Sequence, residues 1–231
     1  MNNPYKSNNP YKPIFFSKEF IVSKNTSIDN VYKIEIKSES SILIQNIKQT
    51  KLLVGLITNT QKNEITFQAT TIEPLNKFIK KNSNWSYMKS LELISSLLKQ
   101  IQLLYKDKFC FYGLNIDNII VINENTFLQL STDYLVPLKN DNLSFEVPFS
   151  KKIFVSPEVI NITSLPTTIP YKSIYYSLSS LCFYLLFQKN TLEIKEKEIK
   201  DHMTSIIGTK LYWFLLRGLE ENIEKRALIY I

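Results

Sequence analysis

The chain has 231 residues, of which 44% are hydrophobic and 13% aromatic, enough apolar surface for one compact unit or two lobes and too much for a wholly disordered chain. Four glycines exclude a glycine-rich phosphate loop, a collagen repeat or a Gly/Ser linker, and a single histidine, His202, removes most histidine-based zinc sites and argues against a histidine triad. The net charge of +7 is uneven: residues 1–110 hold 16 lysines against 8 acids, whereas residues 111–231 nearly balance, and 26 of the 28 basic residues are lysine, so the surplus reads as compositional and nucleic acid is not an expected partner.

In chain order, residues 1–13 hold two copies of Asn-Asn-Pro-Tyr-Lys, too short for a structural repeat, and read as a mobile tail. They carry no apolar stretch of the kind a secretory signal needs. Two cysteines, Cys110 and Cys182, are too few for a disulfide framework or a four-cysteine zinc site. The expectation is an intracellular, cytoplasmic protein.

From Ile14 to about Phe78, short runs rich in β-branched and aromatic residues predict strands at 14–16, 20–22, 31–37, 52–58 and 64–70. The run 31–37 alternates Tyr32, Ile34 and Ile36 with Val31, Lys33, Glu35 and Lys37, a half-buried strand pattern. Residues 58–64 predict a hairpin turn, and 40–49 could form a short helix. Asn82-Ser83-Asn84 then offers a helix cap, and apolar residues every three or four positions from Ser86 to Tyr105 predict an amphipathic helix. Two apolar runs, 119–122 and 127–130, flank a polar turn and predict a hairpin. Proline-rich residues 132–172 read as irregular, and the rest as helical at about 173–188, 191–203 and 209–220. The longest apolar stretch, Ile174 to Phe187, falls short of the ~20 residues a bilayer span needs, so it reads as a buried helix. The fold class expected is α+β, a small β-rich part before a mostly helical one.

Four segments in this order resemble the eukaryotic-type protein kinase fold. Residues 111–122 resemble the catalytic loop: Leu114 and Asn118 fit, and Phe111, Tyr112 and Gly113 stand in the His-Arg-Asp places. Residues 128–135 resemble the strand and Asp-Phe-Gly that open an activation segment, with Asp133 the nearest match and Thr132 the alternative aspartate place. Ser156-Pro157-Glu158 resembles the Ala-Pro-Glu that closes it, and Arg226 holds the late arginine position. The resemblance implies a two-lobed molecule with a reduced N-lobe at 14–80 and a C-lobe at 81–231. It also implies a buried ion pair between Glu158 and Arg226, a structural feature outside the chemistry.

What the resemblance implies about catalysis is mostly loss. The general base place is Gly113, so no catalytic residue is expected; a positioned base contributes ~10²–10⁴ in rate. Lys37, with Lys33 second, stands nearest the nucleotide-binding strand lysine, and Asn118 and Asp133 are the remaining cofactor-binding candidates. Should nucleotide bind, ATP would be held with Mg²⁺ on Asn118 and Asp133; otherwise no cofactor is expected. The implied function is that of a pseudokinase, a binding or scaffolding module for a protein partner. Two alternatives stand beside it: a divergent active Ser/Thr kinase or related phosphotransferase, and an unrelated α+β interaction protein with a basic N-terminal half.

Overall fold

The computed structural model describes residues 10–38, 41–82, 84–151 and 154–227. It is an α+β protein. The tail expected at 1–13 falls mainly on residues 1–9, outside the described residues, whereas Tyr11, Lys12 and Pro13 open the first strand. Strands β1 (Tyr11–Phe16), β2 (Phe20–Asn25), β3 (Val31–Ile36), β4 (Val54–Asn59) and β5 (Glu64–Gln68) form one antiparallel sheet in the order β1-β2-β3-β5-β4. The alternation in β3 sets its faces: Tyr32, Ile34 and Ile36 are buried, and Ile34 pairs with Ile65 and Val22 across the sheet. Helix α1 (Ser41–Thr50) lays Leu43, Ile44 and Ile47 into the core. Each such fully buried aliphatic side chain contributes roughly 1.5–3 kcal/mol.

Strand β6 (Ile72–Pro74) leads directly into α2 (Leu75–Lys81), and α3 (Tyr87–Lys106) follows. The expected cap at Asn82–Asn84 is not the one used: the Ser86 hydroxyl accepts from Lys89 N at 3.1 Å. Ser86 leaves the first turn's N–H groups within reach of its own oxygen, which the earlier residues are too far upstream to offer. Leu93, Ile94, Leu97, Leu98, Ile101 and Leu104 form the buried stripe of α3. Strands β7 (Phe109–Phe111) and β8 (Gly113–Leu114) precede a single 3-10 turn, Ile116–Asn118, and the hairpin of β9 (Ile119–Ile122) and β10 (Thr126–Gln129). That hairpin extends through β6, which pairs with β9.

The stretch expected to be irregular, 132–172, instead carries β11 (Leu135–Lys139), β12 (Asn142–Phe145), β13 (Phe154–Val155), α4 (Pro157–Ile160) and β14 (Thr167–Pro170). β7, β11, β12 and β14 form a second antiparallel sheet, and β13 pairs with β8. These strands are two to five residues long and contain prolines, so no alternation survives to be read. Asn140 and Asp141, between β11 and β12, both have positive φ, as a two-residue type I′ turn requires. Other left-handed positions are held by Lys51, Lys108 and Gln188.

Helix α5 (Ser173–Phe187) is buried on nearly all sides, as its uniformly apolar sequence dictates, and α6 (Glu196–His202) and α7 (Lys210–Gly218) pack beyond it. The His202 ring is half-buried and stacks on Phe187. Gly218 permits the contact of α7 with α5: a Cβ there would lie 1.9 Å from Ser179 Oγ and 2.8 Å from Ser179 Cβ. Gly218→Ala is therefore expected to cost about 1–3 kcal/mol through overpacking. The measurement is a lower urea midpoint at unchanged slope; an unaltered midpoint would show that the helices separate freely.

Helices α1 and α3 and strand β10 are joined by a buried polar link. Asn46 Nδ2 donates to Gln100 O at 3.0 Å, Gln129 N donates to Gln100 Oε1 at 2.9 Å, and Gln100 Nε2 donates to Gln129 O at 3.3 Å. Among the described residues no helix is long and apolar enough to cross a membrane.

Candidate functional site

The β1–β2 turn is short because Ser17 closes it. Its hydroxyl accepts from the backbone N–H groups of Glu19 at 3.0 Å and Phe20 at 3.1 Å, and Ser17 N donates to Phe20 O. Lys37 N donates to Glu19 O at 2.7 Å, which fixes the turn against the end of β3. This turn directs the Glu19 side chain inward, where it is only 7% exposed.

On the facing side, the Asn115 side chain accepts from Asp117 N at 3.0 Å and caps the 3-10 turn. Leu130 N donates to Asn118 O at 2.8 Å, so the turn is held against the end of β10. The Asn118 side chain thereby faces Glu19. Asn118 Nδ2 donates to Glu19 Oε1 at 2.7 Å, and Glu19 Oε2 accepts from Ser131 Oγ at 2.5 Å, Thr132 N at 3.0 Å and Asp133 N at 3.4 Å. Asn118 is 6% exposed and Ser131 fully buried. Two further contacts tie the same segments: the hydroxyls of Ser38 and Thr132 are hydrogen-bonded, and Lys18 Nζ lies 3.6 Å from the Asp133 carboxylate. Hydrogen bonds to an ionised acceptor are the strong ones, and buried donors left without an acceptor are costly.

This cluster forms the floor of a 540 Å³ cavity, whose lining includes Lys18, Glu19, Lys77, Asp117, Asn118 and Asp133. Asn118 and Asp133, expected to act together, thus share one cavity, but the Asp133 carboxylate turns to Lys18 and the Asn118 amide nitrogen to Glu19. Lys37 does not line the cavity; its ammonium donates to Ser17 O at 2.7 Å. Lys33 lies on the face of β3 away from Ile34 and Ile36, held by Glu64 at 2.9 Å and Glu35 at 3.7 Å. Gly113 pairs with Val155 in β8–β13 and presents no side chain. No group of three or more histidines, cysteines or acids among the described residues could hold a metal ion. Against a magnesium nucleotide held on Asn118 and Asp133, the Asp133 carboxylate faces Lys18, the Asn118 amide nitrogen donates to Glu19, and neither Lys33 nor Lys37 lines the cavity.

A second cavity of 750 Å³ adjoins the first, walled by Tyr112, Phe145, Val147 and Phe149. Burial raises the phenols of Tyr112, which donates to Ser150 O, and of Tyr134, which accepts from Asn115 Nδ2. Burial also pushes both thiols, Cys110 and Cys182, up to about 12, so neither is a nucleophile near neutral pH.

Glu158 and Arg226, distant from both cavities in their role, meet through a bidentate pair. Arg226 Nη1 donates to Glu158 Oε2 at 2.9 Å and Nη2 to Oε1 at 2.7 Å. Nε donates to Glu220 O at 2.7 Å, Nη2 also reaches Glu221 O, and the guanidinium lies 5.0 Å from the Tyr176 ring centroid. Burial would raise the Glu158 carboxyl, but the hydrogen bonds and charge of Arg226 outweigh it and hold the group below its ordinary value.

Glu19 is the residue that sequence reasoning missed. The available signal was an acid between two strands, directly before Phe20 and two residues after a turn-forming serine. Compared with known proteins, the chain matches no family model and no curated protein.

Proposed function

We propose that this chain is a catalytically degenerate protein-kinase-like protein, two-lobed in the sense of that family, which works as a binding or scaffolding module for a protein partner. The order of elements supports the reading: an antiparallel sheet with one helix, a long amphipathic helix, a loop bearing Asn118, a hairpin, a stretch of short strands with α4, and then helices α5 to α7. The Glu158–Arg226 pair supports it from the architectural side.

The observation that carries the loss of chemistry is the Glu19 carboxylate. It accepts from the Asn118 amide and from the N–H groups of Thr132 and Asp133 within the chain, beside a loop whose base place is glycine. Phosphoryl transfer depends on positioning and on neutralising phosphate charge. A carboxylate in that place repels a triphosphate instead.

The test is a thermal-shift titration of the protein with ATP, with and without Mg²⁺. A ligand at 100 times its Kd stabilises by about 2.7 kcal/mol, so binding would be visible. The expected result is no shift at millimolar nucleotide. A Mg²⁺-dependent shift that is lost in Asn118→Ala would overturn the degenerate reading in favour of an active phosphotransferase.

A further inference from the structure

We propose that Asn118 Nδ2, Ser131 Oγ and the backbone N–H groups of Thr132 and Asp133 form an anion-binding cradle, and that Glu19 is its built-in occupant, a displaceable latch on the β1–β2 turn. The cradle takes a small carboxylate or a phosphate when the latch is out.

Four donors from two separate segments, 118 and 131–133, converge on one carboxylate that arrives from a third segment about a hundred residues away. Two of the donors are successive backbone N–H groups, the arrangement that makes anion-binding concavities elsewhere. On the donor side Leu130 N holds Asn118 O, and Ser131 follows β10. On the acceptor side the turn 17–19 keeps its own ties, Lys37 N to Glu19 O and Lys37 Nζ to Ser17 O, and the Lys18 side chain beside the acid is 90% exposed. The Glu19 side chain leaves the donors by rotation about its own bonds, with the turn in place. The acid borders the 540 Å³ cavity, open to solvent, whose lining carries Lys18 and Lys77 beside Asp117 and Asp133. An anion entering by that route competes with Glu19 for the same four hydrogen bonds. Its capture frees the Glu19 side chain from the donors. This competition does not require the kinase-like reading; the ATP titration tests that reading in the wild type, so the two can fail separately.

The experiment compares thermal unfolding of the full chain and of Glu19→Ala in formate, acetate and inorganic phosphate, against chloride at equal ionic strength. The melting temperature of Glu19→Ala is expected to rise saturably with one or more of these anions beyond its rise in chloride, with half-saturation in the millimolar range. Wild type is expected to show a smaller rise, because the anion must first displace Glu19, and Glu19→Ala/Ser131→Ala to lose the response. A response to formate and acetate alone assigns the cradle to carboxylates, and a response to phosphate extends it to that group; either supports the proposal. No response above chloride, or an equal rise in wild type, overturns it. Should Glu19→Ala fail to fold, hydrogen exchange of the Thr132 and Asp133 amides in Glu19→Gln replaces it: faster exchange than in wild type, slowed again by formate, supports the cradle. Unchanged exchange, or exchange that no anion slows, overturns it.

Discussion

Replacing Arg226 with alanine is expected to destabilise the protein by about 3–5 kcal/mol, the cost of leaving one partner of a buried ion pair uncompensated. For a chain of this size that is a fall in melting temperature on the order of 10 °C. The guanidinium is buried and donates to the Glu158 carboxylate and to the carbonyls of Glu220 and Glu221. Its loss strips α4 of its tie to the segment after α7 in a single step. The same pair fixes a pH dependence. Because the folded-state Glu158 value lies below the unfolded one, its stabilisation is fully present above the unfolded carboxylate value near 4.3 and is lost as pH falls through the folded value. The wild type should therefore lose stability relative to Arg226→Ala as the solution is acidified. Denaturant midpoints of both proteins between pH 3 and pH 7 measure this, and parallel curves would show that the pair contributes nothing to acid unfolding.

Glu19→Ala carries the second large effect, a loss of roughly 2–4 kcal/mol in the absence of added anions. The substitution leaves the buried Asn118 and Ser131 donors and the part-buried amides of Thr132 and Asp133 without their acceptor, and each orphaned buried group costs about 1–3 kcal/mol before water enters. The vacated space opens onto the adjoining cavity, so water reaches some of the donors, which keeps the total below the sum of four. Urea unfolding of the variant measures it. A change under about 0.5 kcal/mol, the ordinary range of surface substitutions, would mean that the carboxylate is no more than a surface group.

The two acids differ in how far the sequence announces them. Glu158 lies in Ser-Pro-Glu and Arg226 ends Leu-Glu-Glu-Asn-Ile-Glu-Lys-Arg, and the resemblance of these two segments to the kinase pattern is what implies their pairing. Glu19 meets partners 99 to 114 residues away, and nothing near it in the chain encodes that distance. The elements follow the same division. β3, α3, the β9–β10 hairpin and α5 are long or regular enough for period and length to declare them. β13 has two residues and β6 three, and they form only because a partner strand is already in place. Lys37 is instructive in a different way. The alternation in β3 puts Ile34 and Ile36 on the core side, so residues of odd number face away from it. The strand period already argued against a lysine at 33 or 37 turning inward. The likeness of Lys-Ile-Glu-Ile-Lys to a strand-lysine motif drew attention to residue type where side-chain parity decided the outcome.

Asn140, Asp141, Lys51, Lys108 and Gln188 bend the chain through left-handed conformations that glycine would adopt without steric cost. The chain has four glycines and an abundance of asparagine and lysine, so residues that carry a Cβ hold these bends, with local tension in the backbone. Asparagine tolerates the left-handed region; for lysine and glutamine it costs roughly 1–2 kcal/mol per site. The protein thus stands below the stability its own backbone path allows. Its bends hold a latent margin that single changes toward glycine would release without touching the core, the cavities or the cradle.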